Sequence, residues 1–366
     1  MLKIKREYIL QPLQAVIGVV ERRHTVPILS HVLIQVNQKK ITITATDLEV
    51  QLSASLELEE DLEAASFTVP GRKLLDICKM LPENSIIHFQ FEANQIVIKC
   101  NKSRYNLLRL VNQDFPTLEE ESLLVETTLP IKSLSFLLDY TYFSMANLDV
   151  RYYLNGMLME FSSNKLTTVT ADGHRMALAW QTHEINIDDT TRVIVPRKGI
   201  IELMRLLGNS TSNDILIKVG THHIHFSCPE FSLASKLIDG NFPDYQRVIP
   251  RNGDKVISIN TAEFKEILQR VSVLLDKHKN IRIELADNLL KAIVFNSEQE
   301  EAHEEMSIDY QFAPLTLGFN VTYLLDLLNV TKSPSFNMTL SDANSGIVFD
   351  EEGREEVVFV IMPMKI

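Results

Sequence analysis

Apolar residues recur with helical spacing in three stretches that are versions of one another. Val69–Leu81 reads VPGRKLLDICKML, Val195–Leu207 reads VPRKGIIELMRLL, and Phe319–Thr331 reads FNVTYLLDLLNVT. With Pro70 set over Pro196 and Asn320, the apolar positions coincide. Leu74, Leu75, Ile77 and Cys78 fall on Ile200, Ile201, Leu203 and Met204, and on Leu324, Leu325, Leu327 and Leu328. This spacing is one face of a helix, and Pro70 and Pro196 stand where a helix start tolerates proline. An acid recurs inside each stretch, at Asp76, Glu202 and Asp326.

Alternating patterns repeat with the same period. ITITATDLEVQL (Ile41–Leu52) matches LTTVTADGHRMAL (Leu166–Leu178), each a strand running into an acid, Asp47 or Asp172, that marks a turn. NQDFPTL (Asn112–Leu118) matches DGNFPDY (Asp239–Tyr245). Before each lie short strand patterns, IIHFQF, QIVIKC and RYNLLRL in one copy and ILIKV, HIHFSC and FSLASKL in the other. The third copy has FNMTL, GIVFD and EVVFVIMPM in that place, and each copy opens on a further helical pattern, Glu7–Val20, Leu134–Ala146 or Ala262–Leu275. The chain is therefore read as three copies of a unit of roughly 125 residues, a usual domain size. They span 1–122, 123–252 and 253–366, with polar links at Glu120–Glu126 and Arg251–Lys255. Two amphipathic helices on antiparallel sheets make each copy α+β.

Composition changes this picture little until charge is mapped. The 366 residues are 45% apolar and 23% charged, the values of an ordinary globular protein. No window predicts a membrane helix, and MLKIKREYIL lacks the pattern of a signal peptide. Cys78, Cys100 and Cys228 are odd in number and lack C-x-x-C spacing, which points to a reducing cytoplasm and to no thiolate metal site. The net charge of −12 by itself argues against a nucleic-acid partner. The six helical stretches, however, sum to +10, which leaves −22 for the remainder. Arg72 corresponds to Lys198 and Lys79 to Arg205, on the faces opposite the apolar stripes. Helices gathered on one side would make a basic wall on an acidic body, able to meet a polyanion through its phosphates without reading sequence. The third copy dilutes this, with Thr322 and Asn329 at the basic positions.

Candidate catalytic groups are few. In THHIHFS, alternation puts His223 and His225 on one face, beside His222, but no third metal ligand has suitable spacing. Asp172-Gly173-His174-Arg175 could hold an acid–base pair, yet its repeat partner Asp47 lies in a turn, so a turn is expected for Asp172 as well. No P-loop, G-x-G-x-x-G, G-x-S-x-G or H-E-x-x-H occurs. The ending FVIMPMKI sets methionines about a proline that cannot continue a central strand, and divides evenly between core strand and docking surface.

SMANLDVRYYLNGM (Ser144–Met157), TADGHRMALA (Thr170–Ala179), VIVPRKGIIELMRLL, SKLIDGNFPDYQRVIP (Ser235–Pro250) and the terminal VIMPMKI closely resemble the β subunit of bacterial DNA polymerase III, the sliding clamp, over the whole chain. The resemblance implies three domains of the DNA-clamp fold, closed into a ring as a head-to-tail homodimer, with helices inside and sheets outside. It implies encircled double-stranded DNA, no catalysis, no cofactor and no metal. The implied partners are the polymerase III catalytic subunit, the clamp loader, and other polymerases and repair proteins bound through short linear motifs.

By the same resemblance, DNA contacts fall on Arg23, Arg72, Tyr152 and Tyr153 beside Arg151, with Lys198 added through its repeat match to Arg72. Read as part of a strand, Tyr152 and Tyr153 would point to opposite faces. Leu148 stands where a polar DNA contact can occur in the family, and none is assigned to it. The partner-peptide pocket takes Leu154, Gly173, His174, Arg175, Met176, Leu178, Pro243, Arg247, Val248, Tyr323, Val360, Ile361, Met362, Pro363 and Met364, which assigns the C-terminus to docking. Ala171 and His278 replace residues that can be Thr and aromatic in the family, and bear on peptide preference. Complementary charge suggests a dimer interface of Arg104, Tyr105 and Leu107, with Lys99 and Lys102, against Val273, Leu274, Glu298, Glu300, Glu301 and Glu304, with Glu305. Two rivals are a metal- or His-dependent hydrolase centred on Asp172, His174 and His222–His225, and an interaction scaffold with no DNA role.

Overall fold

The computed structural model describes residues 2–20, 26–118, 121–251, 253–277 and 279–365, so Arg23 and His278 lie outside the described residues. The six helices are α1 (Arg6–Val16), α2 (Gly71–Met80), α3 (Ile131–Thr141), α4 (Arg197–Leu207), α5 (Thr261–Val271) and α6 (Val321–Val330). The three residues aligned at the head of the repeated helix occupy equivalent places. Pro70 is the residue before the first turn of α2, Pro196 ends the strand before α4, and Asn320 caps α6 by accepting from Thr322 N at 2.9 Å. Proline thus stands just outside the helix, where its fixed φ helps and no amide is needed. Leu74, Leu75, Cys78, Ile200, Leu203, Leu324, Leu327 and Leu328 are buried as the stripe predicts, whereas Ile201 is 44% exposed.

Two compact units are formed, residues 1–134 with 198–237 and residues 135–197 with 238–366. In the first, one sheet runs β1 (Leu2–Lys5), β4 (Ile86–Phe91), β5 (Gln95–Cys100), β6 (Ser103–Leu108). Its other sheet runs β2 (His31–Thr46), β3 (Val50–Pro70), β14 (Phe231–Lys236), β13 (His223–Ser227), β12 (Asp214–Gly220), β7 (Leu123–Pro130). The second unit has an eight-stranded sheet in the order β11 (Thr191–Pro196), β8 (Gly156–Ser162), β9 (Lys165–Ala171), β10 (Arg175–Thr182), β22 (Arg354–Ile361), β21 (Ile347–Glu351), β20 (Ser335–Leu340), β15 (Lys255–Asn260). Its four-stranded sheet runs β18 (Glu301–Ser307), β17 (Leu289–Phe295), β16 (Asn280–Ala286), β19 (Leu315–Asn320). All pairings between these strands are antiparallel. Not all the strands are short: β2 has 16 residues and β3 has 21.

The division falls inside the middle repeat for a physical reason. The last strand of repeat two, β14, pairs with β3 of repeat one, Leu233 opposite Leu52. The last strand of repeat three, β22, pairs with β10 of repeat two, Phe359 opposite Ala177. Each half of the middle repeat is therefore hydrogen-bonded into a neighbour's sheet. The corresponding last strand of repeat one, β6, has only β5 beside it, and β18 has only β17, among the described residues.

The expected acid turns form. Asp47 is buried, and its carboxylate accepts from Glu49 N at 2.9 Å and Val50 N at 2.7 Å. No described helix is long and apolar enough to cross a membrane. Beside the β3–β14 seam, Glu230 accepts from Thr211 Oγ1 at 2.8 Å and from Ser212 Oγ. Burial raises its pKa, but hydrogen bonds from Ser212, Cys228 and Thr211 outweigh that and hold it at about 2. A depressed carboxyl stabilises the fold fully above its ordinary value of 4.5, and this is lost as pH falls toward about 2. Glu230→Gln is expected to lose about 1–2 kcal/mol at neutral pH. The deficit against the wild type should shrink across that acid window, as followed by thermal melting.

Candidate functional site

In the second unit, the β9–β10 turn and helix α6 meet at Arg175. Asp172 builds the turn, accepting from His174 N at 2.9 Å and Arg175 N at 3.0 Å. Gly173 sits at φ +89°, a conformation that favours glycine, and a Cβ there would lie 2.6 Å from the Arg151 guanidinium and displace it. Arg151 is held by Asp149 at 2.9 and 3.0 Å and donates to Asp172 O at 3.1 Å. The Arg151 side chain and backbone amide keep the Asp149 carboxyl at about 2.

Arg175 has few donors to spare. Its Nε donates to Asp172 Oδ2 at 3.0 Å and its two terminal nitrogens to Asp326 Oδ2 at 2.7 Å and Phe143 O at 2.6 Å. The guanidinium carbon lies 4.4 Å from the Tyr323 ring centroid and 5.4 Å from that of Phe143. Burial, then the charge of Asp172, pushes the Tyr323 phenol up, so it stays a neutral hydroxyl.

Met176, Leu178 and Val360 are buried in one cluster with Leu158, Val169, Ile194 and Tyr245. Leu154 and Ile361 are likewise buried. Val248, Met362 and Met364 are exposed, as are Gly173, His174, Pro243 and Arg247, while Pro363 is half-buried. Arg247 pairs with Asp244 at 2.9 Å. The C-terminus divides in two after Ile361. Val357 to Ile361 complete a core strand, and Met362 to Met364 leave it. Two backbone bonds stitch that tail down, Met362 N to His174 O and Met364 N to Gly318 O, both 2.8 Å. A buried apolar floor, an aromatic wall and adaptable methionines suit the apolar side chains of an extended segment. Asp172 is committed to the turn and to Arg175, so it is no general base. His223 Nδ1 lies 3.2 Å from Glu121 Oε1, and the described residues contain no group of three His, Cys, Asp or Glu able to hold a metal.

The described side chains expected to face DNA have partners within the protein. Arg72 does not simply project from α2: it is half-buried, and its Nε donates to Val20 O at 3.1 Å. The Lys198 ammonium sits on the buried carboxylate of Asp47. Arg205 pairs with Glu202 at 2.8 Å and reaches Ala15 O. Lys73 and Lys79 remain exposed on α2. Tyr152 and Tyr153 are not on a strand; they share a 3₁₀ turn, Tyr152–Leu154, with rings 5.8 Å apart. Tyr152 is 56% exposed, while Tyr153 packs on the apolar cluster. Leu148 is 92% exposed at φ +58°.

Arg104, Tyr105 and Leu107 lie along the open strand β6, with Arg104 exposed. Val273 is 81% exposed and Leu274 half-buried. Glu298, Glu300 and Glu301 are exposed at the start of β18. Glu304 differs, because it already binds Arg270 Nε at 2.9 Å and the guanidinium tip at 3.1 Å. Asp326 and Phe143 were missed as site residues; the one signal for Asp326 was the acid repeated at its helical position.

Comparison with known proteins covers the whole chain. Residues 1–119, 128–244 and 246–365 match the N-terminal, central and C-terminal domains of the DNA polymerase III beta subunit family. The chain is 45% identical over 364 residues to the beta sliding clamp of Pseudomonas putida, covering 99% of both. It is 39% identical to that of Escherichia coli K12, again over 99% of each. A crystal structure of the Pseudomonas aeruginosa sliding clamp bound to griselimycin superposes with TM-score 0.94 at 44% identity, covering 100% of this chain and 99% of that one.

Proposed function

Because the chain belongs to the DNA polymerase III beta subunit family, and is a non-catalytic sliding clamp that encircles duplex DNA and confers processivity, we propose that it acts as a head-to-tail ring of two copies in the cytoplasm. The observation that carries the ring is the repeated seam. Twice within the chain, the last strand of one repeat pairs antiparallel with the strand that follows the acid turn of its neighbour, β14 with β3 after Asp47 and β22 with β10 after Asp172. Repeat one ends in β6 and repeat three offers β18, so β6 of one copy meets β18 of the other by the same rule. A heterologous contact of this kind closes into a ring when the rotation permits. The three repeats, 1–122, 123–252 and 253–366, are the domains of each copy.

Arg72, Lys198, Tyr152 and Tyr153 would line the DNA side with Arg23. A duplex held by topology needs only weak phosphate contacts, and partly committed bases such as Arg72 and Lys198 supply these without pinning the ring. The cluster around Arg175, Tyr323 and the Met362–Met364 tail would receive linear segments of the polymerase III catalytic subunit, the clamp loader and other clamp-binding polymerases and repair proteins. Griselimycin, which the Pseudomonas aeruginosa clamp binds, is the probe chosen for this cluster.

Retention on DNA tests this reading. Loaded on nicked circular DNA, the protein is expected to survive a high-salt wash and to be released when the circle is linearised. Simple electrostatic binding would fall steeply with salt on both forms alike. Equal loss from circle and line would refute the ring.

A further inference from the structure

The acid repeated at one helical position has diverged in its task. Asp76 is exposed on α2, and Glu202 pairs with Arg205 of its own helix. Asp326 instead crosses from α6 to β10, where it meets Arg175 at 2.7 Å. The Arg175 side chain is 10% exposed, so the guanidinium is embedded and offers a ligand little surface. Its charge is balanced by Asp172 and Asp326, and its guanidinium carbon lies over the Tyr323 and Phe143 rings.

Tyr323 lies three residues before Asp326, one turn away on the same helix face. An ion pair that fixes Asp326 against β10 therefore also fixes where the Tyr323 ring lies. On its other side, Arg175 shares Asp172 with the turn whose His174 carbonyl anchors Met362. The aromatic wall and the methionine tail are thus joined through one guanidinium.

We propose that Asp326 is a positioning residue of the pocket. Acting through Arg175, it holds Tyr323 and the Gly173–His174 turn in the arrangement that receives a partner segment, without touching that segment itself. This rests on the reading of these residues as the partner pocket.

The test is griselimycin affinity, measured calorimetrically on the full-length protein together with its melting temperature. Asp326→Asn keeps the side-chain shape and removes the charge, and is expected to weaken binding roughly tenfold by leaving about a tenth of the molecules in the receptive arrangement. Asp326→Glu should restore most of that affinity. With Arg175→Gln already in place, Asp326→Asn should add little, because its route to the pocket is gone. Wild-type affinity in Asp326→Asn, alongside a loss in Tyr323→Ala, overturns the positioning role alone. So does equal weakening by Asn and Glu with a matching fall in melting temperature, since that is a packing role. No binding by the wild type, or binding indifferent to Tyr323→Ala, overturns the pocket reading and this role with it.

Discussion

Reversing the charge at Arg104 together with Leu274→Ala is expected to leave a protein that sediments as a single chain and no longer stays on circular DNA. Arg104 stands exposed on β6, the last strand of repeat one, which has no second neighbour among the described residues. Leu274 closes the 3₁₀ turn after α5, next to the 81%-exposed Val273. At the two seams already closed within the chain, the equivalent strands bury Leu233 against Leu52 and Phe359 against Ala177. Truncating an apolar anchor and repelling the acids near β18 removes about 2 kcal/mol from one junction, a usual hot-spot loss. A two-copy ring contains that junction twice, so every substitution counts double. About 4 kcal/mol weakens assembly roughly a thousandfold. An unchanged sedimentation coefficient at low micromolar concentration would reassign the interface. Glu304 is the acid least suited to this contact, since separating it from Arg270 would leave a formed bidentate pair broken.

Tyr323→Ala is expected to weaken griselimycin and polymerase III catalytic-subunit binding by about 2–4 kcal/mol, thirtyfold to a thousandfold, with the fold intact. The ring is half-buried and packs on the Arg175 guanidinium, so its removal deletes the pocket's aromatic wall and uncovers a cation at once. The helix itself survives, because Leu324, Leu327 and Leu328 carry its core contacts and Asn320 still caps it. Calorimetric titration of the purified variant is the check. Affinity within twofold of wild type would move the pocket elsewhere.

Much of this was legible in the chain, and the rest failed for identifiable reasons. The repeat located all six helices, because their stripes are local patterns that recur. It placed Pro70, Pro196 and Asn320 together before anything showed that they share the helix start. It also marked Asp47 and Asp172 as turn acids. Local patterns, however, do not say where a long side chain ends. Arg72, Lys198 and Arg205 were read as a basic wall from their helix faces, yet each tip rests on an acceptor far away in sequence. Arg175 and Asp326 are separated by 151 positions, beyond the reach of any periodicity. Tyr152-Tyr153 misled because aromatic pairs favour strands, while here Leu154 N and Asn155 N turn back to Arg151 O and Tyr152 O. The tail FVIMPMKI looked like a choice between core and groove, whereas its residues up to Ile361 lie in a core strand and Met362 to Met364 leave it.

The seams that cut the middle repeat in two have a mechanical consequence. A two-copy ring has six of them, and the covalent chain spans four, each backed by an unbroken ladder of backbone hydrogen bonds. Load applied to the proposed ring would therefore have two equivalent weak points, where β6 of one copy would meet β18 of the other. Opening such a ring would unfold nothing: two strand edges would part, and the same edges would be free to pair again.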